Sequence, residues 1–135
     1  MTERLLFVDD EASIRHGFER NLGFDYDLDT AESGAKGLEL LEKNEYAVVI
    51  TDMRMPGMSG LDFLVRAHRM HIQSVFMMLT GNVDTETVDA AYREGRVFRF
   101  MNKPCPADEL KVIIAEALEE YERRSCLHPS PLRTL

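Results

Sequence analysis

The sequence predicts an α/β domain, a doubly wound parallel sheet of five strands with helices on both faces. Short apolar runs alternate five times with amphipathic stretches of helical period, the pattern of consecutive β/α units. The length of 135 residues suits one domain with a single sizeable core. Apolar runs at 5–8, 24–31, 47–50, 75–79 and 97–101 are the five predicted strands.

Two helices are predicted between the strands of the amino-terminal half. Segment 12–22 carries apolar residues four apart, which predicts a helix after the first strand. Segment 24–31 (FDYDLDTA) alternates apolar and acidic residues, which is typical of a strand. Ser33 is a favourable N-cap for a helix that runs to about residue 44. The residues expected to face the sheet are Ile14, Phe18, Leu22, Ala35, Leu38 and Leu41.

The carboxyl-terminal half repeats this pattern after a loop at 53–60 that is rich in Gly and Pro. A helix is predicted over 61–71, and Asp84 caps another that ends near Gly95. Pro106 suits the first position of the last helix, which ends near residue 124. The inward-facing residues are Leu61, Leu64, Ala67, Leu110, Ile113, Ile114, Ala117, Leu118 and Tyr121.

The polarity of the strands predicts their order. Runs 5–8, 47–50 and 75–79 are continuously apolar, as strands buried on both faces are. Runs 24–31 and 97–101 contain polar residues, which favours the sheet edges. This pattern fits the order 2-1-3-4-5 of flavodoxin-like folds. We expect one domain over 1–124, followed at 125–135 by a tail or the start of a linker, since the helical pattern is lost there.

Charge and hydropathy exclude several classes of function. Lys and Arg number 16 against 24 Asp and Glu, a net charge of −8, which argues against direct binding of nucleic acid. No apolar stretch approaches the roughly 18 residues of a membrane helix, and the first residues are unlike a signal peptide. We therefore expect a cytoplasmic protein that contacts neither nucleic acid nor membrane directly.

Reactive side chains follow four of the predicted strands. Asp9 and Asp10 follow the first strand, Asp52 the third, Thr80 the fourth and Lys103 the fifth. Because ligands of open α/β sheets bind at the carboxyl ends of the strands, these side chains are expected to converge.

The predicted cluster suits a cation and a phosphoryl group. Crowded carboxylates repel one another, and a divalent cation relieves that repulsion. Oxygen ligands without Cys or His favour Mg²⁺ or Mn²⁺. Lys103 and Thr80 suit phosphoryl oxygens, which leaves one carboxylate as a nucleophile for an aspartyl phosphate.

Four motifs make the chain resemble a known family. LLFVDDE, VVITDMRMPGMSGLDFL, MMLTGN and FRFMNKPC are similar to the motifs of receiver domains of two-component response regulators, the CheY-like family. The resemblance covers roughly residues 3–124. It implies a signalling switch that catalyses only its own phosphorylation and dephosphorylation.

The resemblance also implies roles for individual residues. Asp52 is implied as the phosphoacceptor, and Lys103 as the phosphate-contacting lysine, joined to Pro104 by a cis peptide. Magnesium is implied to be held by Asp9, Asp10 and Asp52 with the backbone carbonyl of Arg54. Of the acidic pair, Asp10 is the one expected to bind the ion directly. The remaining implied residues are the switch pair Thr80 and Phe100 and the rate-tuning pair Arg54 and Asn82.

The family pattern implies partners as well. A sensor histidine kinase or phosphotransfer protein donates the phosphoryl group, and a surface over residues 84–124 acts on an effector or output domain, with homodimerisation possible. Phe100 stands where many members carry Tyr, which puts in doubt any output that needs the hydroxyl. Arg54 beside the phosphoryl group predicts slow autodephosphorylation.

Two other functions compete with the switch. A phosphatase of the haloacid-dehalogenase kind also uses an aspartate nucleophile with Mg²⁺, but it expects a second Asp where this chain has Arg54. A degenerate receiver would act only as a protein-interaction module. The complete acidic set and Lys103 argue against that alternative.

Overall fold

The computed structural model describes residues 4–70, 73–81, 97–103 and 105–127, with side chains to residue 124. Asn82, Pro104 and the helix predicted from Asp84 to Gly95 lie outside these residues. The strands are β1 (Arg4–Val8), β2 (Asp27–Ala31), β3 (Val48–Asp52), β4 (Val75–Thr80) and β5 (Arg99–Asn102). The helices are α1 (Ala12–Leu22), α2 (Gly34–Lys43), α3 (Gly60–Met70) and the C-terminal helix (Ala107–Leu127).

The five strands form one parallel sheet in the order β2-β1-β3-β4-β5. The predicted flavodoxin-like fold and strand order are confirmed. The three continuously apolar runs are the central strands of the sheet, and the two strands with polar residues are its outermost strands. Their parallel register aligns Val8 with Thr51, Asp52 with Leu79, and Thr80 with Asn102. All reactive strand ends therefore lie at one edge, called here the carboxyl edge.

The sheet separates two apolar cores. On one face, Leu5 and Phe7 pack under α1 and the C-terminal helix, where the Phe7 and Phe18 rings stack with centroids 3.7 Å apart. On the other face, Leu6 and Val8 pack under α2 and α3. Alternate side chains of β1 thus serve different cores, as the period of a strand requires.

Two sequence expectations about local structure are wrong. β2 begins at Asp27 rather than at residue 24, because the N–H groups of Asp25 and Tyr26 donate to the Leu22 carbonyl and extend the turn after α1. Ala35 is exposed instead of facing inward. Gly37 takes that place, since a Cβ there would meet Phe63 at 2.8 Å.

The C-terminal helix ends at Leu127, three residues beyond the predicted end at 124. It is the longest of the described helices at 21 residues, and charged residues occur throughout it. None of the helices in the described ranges is long and apolar enough to cross a membrane.

A chain of hydrogen bonds runs across the opposite edge of the sheet, where β3 and β4 begin, called here the amino edge. The hydroxyl of buried Tyr46 donates to Asp29 at 2.6 Å, and the Ser74 hydroxyl donates to the Tyr46 carbonyl at 2.6 Å. Arg124 donates to the Ser74 carbonyl at 3.0 Å and so ties the C-terminal helix to the start of β4. At the solvent-exposed end of this edge, the Arg4 guanidinium donates hydrogen bonds to the side chains of Asp27 and Asn44. Glu120 joins through its carboxylate, which accepts a hydrogen bond from Arg124 at 2.7 Å. The amino-edge network is the set of eight residues Arg4, Asp27, Asp29, Asn44, Tyr46, Ser74, Glu120 and Arg124.

Candidate functional site

Backbone hydrogen bonds hold the reactive residues at the carboxyl edge. The Asp9 N–H donates to the Ala31 carbonyl at 3.1 Å, just beyond the end of β1. The Lys103 N–H donates to the Thr80 carbonyl at 2.9 Å, just beyond β5. The pairing of neighbouring strands therefore continues into the site and fixes the backbone from which these side chains project.

Three carboxylates meet at this edge. Asp9, Asp10 and Asp52 each place a carboxylate oxygen within 4.8 Å of the others. Asp9 is fully buried and Asp52 is 5% exposed, whereas Asp10 faces solvent. The convergence expected from the sequence is therefore present, with two of the three charges withdrawn from water.

Lys103 is the cation that faces the two buried carboxylates. Its ammonium lies 3.2 Å from Asp9 Oδ2 and 3.2 Å from Asp52 Oδ1. Burial opposes the charged form of Lys103, but its contacts with Asp52 and Asp9 outweigh that effect and raise the pKa of the ammonium. Lys103 therefore stays protonated and is placed to pair with a further anion beside Asp52.

Asp9 is held by its backbone surroundings but remains poorly solvated. Its Oδ1 accepts a hydrogen bond from the Glu11 N–H at 2.9 Å, and its carbonyl accepts one from Arg15 at 2.7 Å. Its Oδ2 is near Lys103 but accepts no well-directed hydrogen bond from any described residue. Burial raises the pKa of Asp9, and the neighbouring charge of Asp52 adds to the rise.

These residues fit a hard divalent cation. The donor set is entirely oxygen, which suits Mg²⁺ or Mn²⁺. The buried Asp9 Oδ2, which lacks a directed hydrogen-bond donor in the described part of the chain, is the group that a cation would satisfy. The acidic cluster can therefore hold a metal ion.

A cleft of about 240 Å³ opens beside Asp52. It is smaller than a groove of about 390 Å³ lined in part by Arg15, Lys36 and Lys43, but it is lined by Lys103 and by Asp52 of the acidic cluster. The buried hydroxyl of Thr80 lies 3.7 Å from the Met53 sulfur, a weak acceptor. The residues lining the cleft are Glu11, Asp52, Met53, Arg54, Thr80, Gly81 and Lys103.

Gly60 explains the close packing of the loop after Asp52. A Cβ at this position would overlap the Asp52 carbonyl oxygen, and the Gly60 N–H donates to the Met53 carbonyl at 2.9 Å. The turn is made by Gly57, whose φ of +81° is favourable only for glycine. These two glycines let α3 begin directly against the end of β3.

The remaining expected site residues are placed differently. Phe100 is half-buried on β5, pairs in register with Met78 and packs against the core under α2 and α3. The Arg54 side chain is exposed at the mouth of the cleft. Asn82 and the Lys103–Pro104 peptide fall outside the described residues.

Sequence reasoning missed three residues of the cleft, Glu11, Met53 and Gly81. Glu11 is the third acidic residue of the run after β1, which was a usable signal. Met53 had no such signal, because a methionine beside a loop equally suits ordinary packing. Its contact with Thr80 depends on the pairing of β3 with β4.

A parallel 2-1-3-4-5 sheet with an acidic cluster and a lysine at its carboxyl edge defines a class of α/β domains. Within that class, residues 5–115 match the family model described as the response regulator receiver domain. The chain belongs to this family.

Known proteins of this family resemble the chain over most of its length. The DNA-binding transcriptional regulator NtrC of Escherichia coli K12 is 34% identical over 118 residues, which cover 87% of this chain and 25% of NtrC. The chain spans about a quarter of the length of the curated relatives it matches.

Solved structures agree with the fold. A structure described as adenylate cyclase from Rhodopirellula baltica has a TM-score of 0.87 and 38% identity, covering 96% of this chain and 100% of that one. The signal receiver domain of an HD domain-containing protein from Pseudomonas fluorescens Pf-5 has a TM-score of 0.86 and 28% identity, covering 91% and 99%.

Proposed function

We propose that this receiver domain is a phosphorylation-dependent switch in which Asp52 accepts the phosphoryl group. The observation that carries the proposal is the position of the Lys103 ammonium, 3.2 Å from both Asp52 and Asp9 beside an open cleft. A cation in that place can pair with phosphoryl oxygens attached to Asp52. It also balances part of the negative charge that the product adds.

The transfer requires little from the protein beyond position and charge. An Asp52 carboxylate oxygen attacks phosphorus of a phosphohistidine on a sensor kinase or phosphotransfer protein. A P–O bond forms, the P–N bond breaks, and the histidine nitrogen keeps the electron pair and takes up a proton. Mg²⁺ held by Asp9, Asp10, Asp52 and the Arg54 carbonyl would neutralise charge on the phosphoryl oxygens. The domain turns over no other substrate in this proposal.

The response begins at Thr80. Its hydroxyl is near the Met53 sulfur, a weaker acceptor than a phosphoryl oxygen, so phosphorylation favours a position closer to Asp52. In the proposed switch the Phe100 ring follows, and the surface over 84–124 changes. Arg54 and Asn82 tune dephosphorylation, with Arg54 slowing the attack of water. A phosphorylated lifetime of only seconds would contradict this role of Arg54.

The partners follow from the switch and from the family. NtrC is named as a DNA-binding transcriptional regulator, and this chain matches only about a quarter of it. We propose a sensor kinase or phosphotransfer protein upstream and an effector or attached output domain downstream. Residues 1–124 act as the receiver and 125–135 as a tail or linker, in the cytoplasm and without direct contact to nucleic acid or membrane. Homodimerisation is one possible form of the output.

Incubation with acetyl phosphate and Mg²⁺ tests the proposal. Intact-mass measurement is expected to show one added phosphoryl group, which is lost in Asp52→Asn and retained in the control Asp62→Asn. Asp62 is an exposed acid of α3 and does not line the cleft. Rapid turnover of phosphate esters would instead favour a phosphatase. If no donor labels the protein, the remaining hypothesis is a degenerate receiver that acts only as a protein-interaction module.

A further inference from the structure

Glu11 stands at the N-cap position of a helix, but its side chain does not cap that helix. It is the N-cap residue of α1, with extended backbone angles of −90° and 116°, and its side chain makes no capping hydrogen bond. Ser, Thr, Asp and Asn are the residues that normally accept such a bond. Because a poor cap at an otherwise regular helix start suggests another role, the direction of the Glu11 carboxylate is informative.

That carboxylate faces the cleft. Its Oε1 lies 3.9 Å from the Lys103 ammonium, which makes it the third acidic group around this cation. The Glu11 side chain is 57% exposed, whereas Asp9 is fully buried. The contact is therefore weak, sensitive to salt and easily displaced.

The position of Glu11 matters because an incoming phosphoryl group needs the same cation. Lys103 pairs with Asp9 and Asp52 from within the site, so Glu11 competes for its exposed side. A phosphodonor entering the cleft also meets the negative charge of Glu11. The more negative the donor, the greater this penalty.

We propose that Glu11 is a specificity-determining residue, an electrostatic gate that disfavours highly charged small phosphodonors. This inference rests on phosphorylation of Asp52, the proposed function. Glu11 forms no bond to the phosphoryl group in this scheme. It acts through charge, by competing for Lys103 and by repelling the donor.

The test compares two donors that differ in charge at neutral pH, acetyl phosphate as a dianion and phosphoramidate as a monoanion. Glu11→Gln is expected to speed labelling of Asp52 by acetyl phosphate about two- to fivefold, the effect of a half-exposed charge. The gain with phosphoramidate is smaller. The gain in rate of Glu11→Gln over the wild type shrinks for both donors as ionic strength rises, because salt screens an exposed carboxylate.

The matched control is Glu42→Gln, which removes the same charge from an exposed site on α2 and is expected to change neither rate. Equal rates for Glu11→Gln and wild type overturn the gate, and so does the same gain with both donors or with the control. A fall in melting temperature with unchanged rates also overturns it, since Glu11 would then be structural. If neither protein is labelled at Asp52, the proposed function itself fails.

Discussion

The two edges of the sheet collect charged and polar groups in opposite ways. At the amino edge, a chain of hydrogen bonds runs from Asp29 on β2 through Tyr46 and Ser74, just before β3 and β4, to Arg124. At the carboxyl edge, three carboxylates cluster, Lys103 contacts two of them, and Asp9 carries an oxygen without a directed hydrogen bond in the described structure. One edge is satisfied by its own residues and stabilises the fold. The other remains short of positive charge, which suits a site that binds a cation.

Removal of a charge from the carboxyl edge is expected to stabilise the domain. Asp9→Asn should raise the free energy of unfolding by about 1–3 kcal/mol in the absence of divalent cations, because a buried carboxylate with a raised pKa becomes a neutral amide. Urea unfolding in EDTA measures this change. In Mg²⁺ the wild type should gain stability and the variant should gain much less.

The control for this experiment is Asp10→Asn, which neutralises the exposed member of the cluster. It should alter stability in EDTA much less than Asp9→Asn, since its charge is already solvated. If Asp9→Asn destabilised the domain in EDTA, polar groups at both edges would stabilise the fold, and the contrast between the edges would be wrong.

Removal of a hydroxyl from the amino edge is expected to have the opposite sign. Tyr46→Phe should lower the free energy of unfolding by about 1–2 kcal/mol, because the hydrogen bond of 2.6 Å to Asp29 is lost from a buried position. Tyr26→Phe removes the same atom from a half-buried tyrosine outside the amino-edge network and should cost less. Equal losses in chemical denaturation would show that the network adds nothing.

The contribution of the Tyr46 hydroxyl to stability should also be measurable at alkaline pH. Burial, followed by the hydrogen bond and charge of Asp29, raises the pKa of Tyr46 above its usual 10.0. Above pH 10 the unfolded chain therefore releases this proton while the native chain keeps it, so stability falls as pH rises. One pH unit above that value should cost about 1 kcal/mol from this group.

The Tyr46→Phe variant isolates this contribution, since other groups also titrate at alkaline pH. Its stability should decline less steeply than that of the wild type between pH 10 and 11, as followed by denaturant midpoints at each pH. Parallel curves for the two proteins would mean that Tyr46 does not keep its proton in the native state.

The smallest effect is expected at the exposed end of the amino edge. Arg4→Gln breaks the ion pair of 2.9 Å with Asp27, but both side chains are about two-fifths exposed. Such pairs add little, and salt should reduce the loss further. If Arg4→Gln lowered the melting temperature more than Tyr46→Phe does, the exposed ion pair would stabilise this edge more than the buried hydrogen bond.

The sequence supported prediction of the carboxyl edge better than of the amino edge. The order of the strands follows from their polarity, and parallel strands then bring Asp9, Asp52 and Lys103 together without further information. The carboxylates themselves mark the site, because acids directly after buried strands are conspicuous.

The amino-edge network could not be predicted in the same way. Tyr46 and Asp29 are 17 positions apart, and Ser74 and Arg124 are 50 apart. Each residue alone suits a turn, a strand edge or a solvated helix face. Gly37 was missed for a related reason, since its role depends on the approach of Phe63 from α3. Pairing between side chains of different elements leaves no periodic signal in the sequence.

The division of the interior by the sheet has a consequence for how the domain tolerates change. Among the residues that the structure describes, the two cores share no buried side chain, so Phe18 under α1 and Phe63 under α3 belong to separate packing units. Substitutions in separate units combine additively when they do not shift a common backbone. Divergence or redesign can therefore proceed beneath one pair of helices while the other pair keeps its packing. The strands between them, which end at the acidic cleft, are the structure that both must preserve.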